Sequence, residues 1–195
     1  MKVVAFNGSP RKNGNTGILI RYALRELKSE GIDTELVQLA GKKIRGCTAC
    51  MKCFENRDRR CVIDNDIVNT CIEKMINADG IILGSPVYFT DVTAEMKALI
   101  DRAGFVSMAN GGLYRRKVGA AVIALRRAGA MHTADTLLHF LLAGDMILTG
   151  FPGIGIGSEI GDVEQDREGV ERMMAIGKNM AWLLKAVEQA QRTGT

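Results

Sequence analysis

Cys47, Cys50, Cys53 and Cys61 stand in the pattern C-x2-C-x2-C-x7-C. Cysteines at successive steps of three wrap a short loop around one point. Thiolates converging from several sides are what an iron–sulfur cluster needs. In the bacterial ferredoxin run the last cysteine sits in C-x3-C-P and serves a second cluster. Here the gap is longer and Val62 follows Cys61, so Cys61 can close on the same centre as the other three. Structural zinc usually takes two separated pairs, which C-x2-C-x2-C fits less well. The fifth cysteine, Cys71, falls on the apolar face of a helical pattern and reads as a core residue.

A second set lies near the start, in Gly8-Ser9-Pro10-Arg11-Lys12-Asn13-Gly14-Asn15-Thr16. Backbone N–H groups at a helix start attract phosphate, helped by the dipole. Ser9 and Thr16 add hydroxyls, Asn15 an amide and Arg11 a fork of charged donors. No Gly-Lys-Ser/Thr closes the loop, so it is not a Walker A motif, and the GxGxxG spacing is absent. Gly153 to Gly157 (GIGIG) has the wrong spacing and position and reads as a turn or flexible segment. A third set, Pro86, Val87, Tyr88 and Phe89, follows an apolar run and could wall in a flat aromatic ring.

These residues need elements to hold them. Val3 to Phe6, Gly80 to Gly84, Val118 to Leu125 and Met146 to Leu148 are short apolar runs suited to buried parallel strands, and Thr34 to Leu39 reads as a further strand. Between them, apolar residues recur at helical steps: Leu19 to Leu27, Val68 to Ile76 behind an Asp66 cap, Thr93 to Ala103, and Ala134 to Leu142 ahead of Gly144. A long helix is expected over Glu164 to Gln191. Five strands alternating with helices predict an α/β fold, a flavodoxin-like doubly wound five-stranded parallel sheet of order 2-1-3-4-5 with helices on both faces. Ligands then sit at the carboxyl ends of the strands, near the switch point between strands 1 and 3. The first two loops meet there.

With 195 residues, 47% apolar and 25% charged, the chain suits one domain covering 1–195, with a cysteine-rich insert at about 42–62. A net charge of +4 does not establish a nucleic-acid binder. Val3 to Phe6 is too short for a signal-peptide core. The most apolar window, Leu137 to Phe151, is broken by Gly144-Asp145. The protein is expected to be soluble and cytoplasmic, where clustered cysteines more often bind metal or act in redox chemistry than form disulfides. His132 and His139, seven apart, and Asp64 read as structural or surface residues.

GSPRKNGNT, GSPVYFTDVTAEMKALIDR and ALRRAGA resemble the NADPH-dependent FMN reductase family of the flavodoxin-like superfamily, over nearly the whole chain. The resemblance implies that Ser9, Arg11, Asn15 and Thr16 hold the FMN phosphate. It implies that Pro86, Val87, Tyr88 and Phe89 line the isoalloxazine ring, and that the loop around Arg127 and Gly129 approaches the pyrimidine edge. The compact cysteine motif is similar to that of the iron–sulfur flavoprotein subgroup. That implies a [4Fe–4S] cluster on Cys47, Cys50, Cys53 and Cys61, electrons from ferredoxin, and a small oxidant such as oxygen or peroxide as acceptor.

Lys42, Lys43, Arg45, Lys52, Arg57, Arg59 and Arg60 surround the cysteines, against Glu55 and Asp58. Such a run is usually a solvated face. Beside a redox centre it reads as a docking patch for ferredoxin or another acidic electron carrier, with an encounter weakened by salt. Two alternatives stay open: an NAD(P)H-dependent FMN or quinone reductase without a cluster, and a flavodoxin-like electron carrier. By the resemblance, FMN sites shared between subunits would make a homo-oligomer, a dimer or tetramer. In none of these readings need a protein residue act as acid, base or nucleophile, because the chemistry rests on FMN.

Overall fold

The computed structural model describes residues 1–193. In chain order the elements begin with β1 (Lys2–Asn7), α1 (Asn15–Ser29), β2 (Asp33–Gln38), α2 (Lys52–Asn56), α3 (Val68–Asn77) and β3 (Gly80–Pro86). They continue with α4 (Ala94–Ala109), β4 (Val118–Leu125), α5 (Ala130–Ala143), β5 (Ile147–Leu148), β6 (Gly153–Ile156), a 3-10 turn (Asp162–Glu164) and α6 (Arg167–Thr193). The sheet runs β2-β1-β3-β4-β5, all parallel, as the alternating pattern predicts. The fold is flavodoxin-like. No helix among the described residues is long and apolar enough to cross a membrane.

Successive side chains of a strand face opposite ways, so each strand serves two cores. Val3, Ala5, Ile82 and Val122 pack on α1 and α6 through Leu19, Ile20, Met173 and Met180. Val4, Phe6, Ile81, Leu83 and Ile123 pack on α3, α4 and α5 through Ile72, Met75, Leu99, Leu137 and Leu141. Burial on both faces is why these strands read as unbroken apolar runs.

Three expectations are corrected. The GIGIG segment is not a turn: Gly153–Ile156 forms β6, pairing with Val122–Leu125 of β4. The fifth place in the sheet is thus split. β5 pairs with the start of β4 and β6 with its end. Glycine spacing hides this strand because every second residue faces a packed helix: a Cβ on Gly153 would lie 2.2 Å from Met173 Cε, and one on Gly155 2.6 Å from Leu19 Cδ1. The helix expected to end at Ala103 runs to Ala109, since Gly104 is tolerated and Val106 keeps the apolar face buried. The terminal helix starts at Arg167 because Asp162–Glu164 forms the separate 3-10 turn.

Candidate functional site: a phosphate-facing cleft and a cysteine cavity

Two concavities gather the candidate residues, the first of them where the strands end. Ser9, Arg11, Asn15, Thr16, Pro86, Val87, Tyr88, Ala124, Leu125, Arg126, Gly157 and Ser158 line the first. It holds about 620 Å³ of space, counting its solvent-open part. The structure therefore brings together Ser9, Arg11, Asn15 and Thr16 with Pro86, Val87 and Tyr88. Its lining has two arginines and no acidic residue.

The loop before α1 is held by polar side chains at the strand ends. Asn7 Oδ1 accepts the Ser9 N–H at 3.0 Å, and Asn7 Nδ2 donates to Gln38 Oε1 at 2.8 Å. Gln38 Nε2 in turn donates to the Ser9 carbonyl at 2.6 Å. Gly8 N–H donates to the Gly84 carbonyl at 2.8 Å, stitching the first loop to β3. Gly84 must lack a side chain: a Cβ there would lie 2.5 Å from Ile20 Cδ1 and 3.2 Å from Thr16 Cγ2, lifting the first turn of α1 off the sheet. No side chain caps α1 at Gly14, and its first turn carries no acid. That leaves its positive end open to an anion.

Thr16 is buried, and its hydroxyl has no hydrogen-bond partner. An orphaned hydroxyl at a helix start, in a basic cleft, fits a phosphate oxygen. Asn15 is used differently. Its Nδ2 donates to the Glu159 carbonyl and its Oδ1 accepts the Gly161 N–H, both at 2.8 Å, so it clamps the loop after β6 against the cleft.

Phe89, Arg127 and Gly129 do not line the cleft. Tyr88 and Asp91 exchange backbone hydrogen bonds across a tight turn whose two central residues, Phe89 (φ 46°) and Thr90 (φ 69°), are left-handed. Turns of that hand favour Asn-Gly, and a bulky or β-branched residue there is strained. The Phe89 ring at the tip is fully exposed. The start of α5 holds this turn. Thr133 Oγ1 donates to the Thr90 carbonyl at 3.3 Å, and Thr136 Oγ1 to Asp91 Oδ1 at 2.7 Å. Gly129, at φ 89°, has room only for hydrogen, since a Cβ would lie 2.7 Å from Val87 Cγ1. His132 Nε2 stands 3.6 Å from Asp91 Oδ2, and His139 is exposed.

The second concavity is lined by Cys47, Cys50, Cys53 and Cys61, with Met51, Val62, Ile63, Arg102, Phe105 and Val106 among their neighbours. Among the described residues no three His, Cys, Asp or Glu side chains gather as a single-ion site; the four cysteines line one concavity. All are free thiols. Ala49 N–H points at Cys47 Sγ at 3.4 Å. Ala49 and Met51, between the cysteines, are left-handed at φ 50° and 57°. Each such non-glycine residue costs about 1–2 kcal/mol, and strain of this kind persists where surrounding structure or a ligand enforces it. The Lys52 backbone N–H draws the Cys50 thiol below its ordinary value, whereas burial pushes Cys53 up. Thiols with N–H donors and apolar walls form a donor set that fits an iron–sulfur cluster.

Cys61 is held most firmly. Asn69 Oδ1 accepts the Cys61 N–H, and Asn69 Nδ2 donates to the Cys61 carbonyl, both at 2.8 Å. Arg102 Nε donates to Cys61 Sγ at 3.3 Å. Neither residue was singled out by spacing, although both are polar residues within apolar helical stripes, beside Ile72 and Leu99 respectively, and that is a readable signal. Cys71 lies in the core, where burial pushes its thiol up to about 12.

Helix α4 joins the two sites. Its cap Thr93 donates through Oγ1 to the Gly8 carbonyl at 2.9 Å and receives the Met96 N–H. Arg102 follows nine residues later, about 13 Å along the axis at 1.5 Å per residue.

Residues 1–156 match the model of the NADPH-dependent FMN reductase family. An iron–sulfur flavoprotein of Methanocaldococcus jannaschii is 39% identical over 198 residues, covering 97% of this chain and 100% of that protein. An iron–sulfur flavoprotein of Methanosarcina thermophila is 33% identical over 192 residues, covering 97% and 98%. Among solved structures, an archaeal flavodoxin superposes with a TM-score of 0.62 at 14% identity, covering 95% of this chain and 99% of that one, a likeness of fold alone.

Proposed function

The chain belongs to the NADPH-dependent FMN reductase family, and from that premise we propose that this flavin-dependent oxidoreductase is an iron–sulfur flavoprotein, passing electrons between a one-electron carrier and a small acceptor. One observation carries the reading: all four clustered cysteines line one cavity, against the second half of the helix whose cap holds the phosphate-facing loop. Ser9, Arg11 and Thr16 would hold the FMN phosphate, and Pro86, Val87 and Tyr88 the ring. Arg126 and Ser158 would add a rim, and Asn15 would act by clamping the Gly157–Gly161 loop. Phe89 and Gly129 would serve by shaping the turn that carries Tyr88, and Arg127 follows Arg126 on the rim loop.

Cys47, Cys50, Cys53 and Cys61 would hold a [4Fe–4S] cluster. Zinc usually takes two separated pairs of ligands, whereas a cubane takes each thiolate on a separate iron, which suits the compact C-x2-C-x2-C-x7-C run. FMN supplies acceptance and release of an electron pair, and the cluster passes single electrons. Ile63, Phe105 and Val106 give the cysteine cavity apolar walls. We read the chain as one flavin domain with residues 42–62 as its insert. Clustered metal-binding thiols suit the reducing cytoplasm. Exposed Phe151, Ile160 and Trp182 suit a homo-oligomer, a dimer or tetramer.

Anaerobic purification with metal analysis tests this. The expected result is a flavin spectrum with a broad iron–sulfur shoulder, and iron and sulfide at about four each per chain. FMN without iron, together with steady NADPH turnover, would favour the cluster-free reductase instead. The basic residues around the cavity are exposed and suit ferredoxin or a similar acidic carrier as partner. Its reduction rate should fall steeply with salt; a salt-independent rate excludes the docking patch.

A further inference from the structure

Arg102 is among the largest fully buried side chains of the described residues. Four of its five N–H donors have partners. Nε points to Cys61 Sγ at 3.3 Å, Nη1 to Asp66 Oδ2 and to the Arg45 carbonyl, and Nη2 to the Ile63 carbonyl at 2.6 Å. Asp66 is equally buried, and its carboxylate also accepts the N–H groups of Arg45 and Val68. Lysine could not replace this, because only the planar fork reaches a sulfur, a carboxylate and two carbonyls at once.

Stability alone is a poor account of such a pair. Removing two charges from water costs about what their attraction returns, and apolar replacements are often as stable. What an apolar pair would lack is direction. The guanidinium lies between the carboxylate and the cysteine cavity, so the positive end of the pair faces Cys61. Hydrogen bonds to ligand sulfurs, net charge and solvent exposure set the potential of a cluster. A donor on a ligand sulfur and a positive charge behind it both favour the more negative, reduced state. Of the four cysteines, Cys61 alone receives a charged donor; Cys47 receives a backbone N–H.

We propose that Arg102 and Asp66 are positioning residues that fix Cys61 and set the reduction potential of the group bound by the four cysteines. This rests on the cluster reading above. Arg102 raises the potential through Cys61, and Asp66 moderates the charge that Arg102 presents.

The test is a dithionite titration of the anaerobically purified full chain, followed by electron paramagnetic resonance, on the parent, D66N and the double variant R102M/D66N. The double variant removes both charges and so leaves no orphaned carboxylate. At the parent's midpoint, the ratio of reduced to oxidised cluster should fall on the order of tenfold in R102M/D66N, about 59 mV for one electron. It should rise in D66N, where the arginine charge is no longer offset. A purely structural role would not move the two variants in opposite directions. The FMN midpoint in the same samples should not change.

Coincident cluster midpoints in all three proteins overturn the inference, as does a shift of the same sign in both variants. If the double variant does not retain FMN, D66N decides alone, by a rise or its absence. A parent chain that holds FMN but no iron instead overturns the cluster reading, which keeps the two failures distinct.

Discussion

The cleft at the strand ends and the cysteine cavity are both joined to α4, one at its cap and the other at its second half, but are built by different means. The cleft is made by the fold. Loops after β1, β3, β4 and β6 converge there because parallel strands all end on one side. Its parts are backbone, glycine and short polar side chains. The cavity is made by a segment that owes the sheet little. Its only regular element is the five-residue α2, and two buried polar residues, Asn69 and Arg102, tie it down at Cys61. A site made by the fold tolerates the loss of single contacts. A site made by ligand spacing and two anchors does not.

The sharpest way to break this contrast is to remove one ligand. Cys53→Ser should lower iron from about four per chain to below one, with bound FMN unchanged by absorption. Loss of flavin along with iron would mean that the two sites are not separable. The reverse cut is Thr16→Val. A hydrogen bond to a charged group contributes about 1.5–3 kcal/mol, so FMN affinity should weaken at least about tenfold. Metal content should stay put. Thermal melting of the flavin-free protein should not fall, since the lost hydroxyl has no partner in the protein. A lower melting temperature with unchanged flavin affinity would assign Thr16 to the core.

Asn15→Ala probes the clamp rather than the ligand contact. Losing two hydrogen bonds of about 1 kcal/mol each should weaken FMN by roughly tenfold or less, and protease cutting near Glu159 should accelerate. Equal cutting in parent and variant would deny the clamp.

The smallest effect concerns Cys71, the cysteine outside the cavity. Its folded thiol is pushed up to about 12 from an ordinary 9. The unfolded chain therefore loses this proton first, and stability present below pH 9 is lost as pH rises towards 12. The buried hydroxyl of Tyr114 is shifted the same way. Cys71→Val should flatten part of the slope of denaturant midpoint against pH in that window, and leave iron content alone. An unchanged slope would mean that Cys71 titrates freely.

Much of this was legible from the chain. Buried strands announced themselves as apolar runs, and the order of the sheet followed from their alternation with helices. The four cysteines that line one cavity, the basic run around them, and the loops at Ser9–Thr16 and Pro86–Tyr88 that line the cleft all stand out by residue type and spacing. β6 was not, because glycines that make room for Met173 and Leu19 look like a turn until the helices are in place. Asn15 was read as a phosphate ligand, yet its amide is engaged by a loop some 145 positions away, Glu159 to Gly161. Phe89 was read as a wall, yet the strained turn at Tyr88–Asp91 points its ring outward.

The amino-acid sequence by itself thus determined the chemistry available to this protein: four thiols at cluster spacing, a phosphate-suited loop, and a parallel sheet to carry them. Those are properties of neighbours along the chain, where type and interval suffice. Only the tertiary structure decided which groups are spoken for and which remain to meet a ligand. Asp66 and Arg102 are 36 residues apart, and Cys61 and Arg102 are 41 apart. Whether a buried charge is a hazard or an anchor depends on partners that only folding brings within reach.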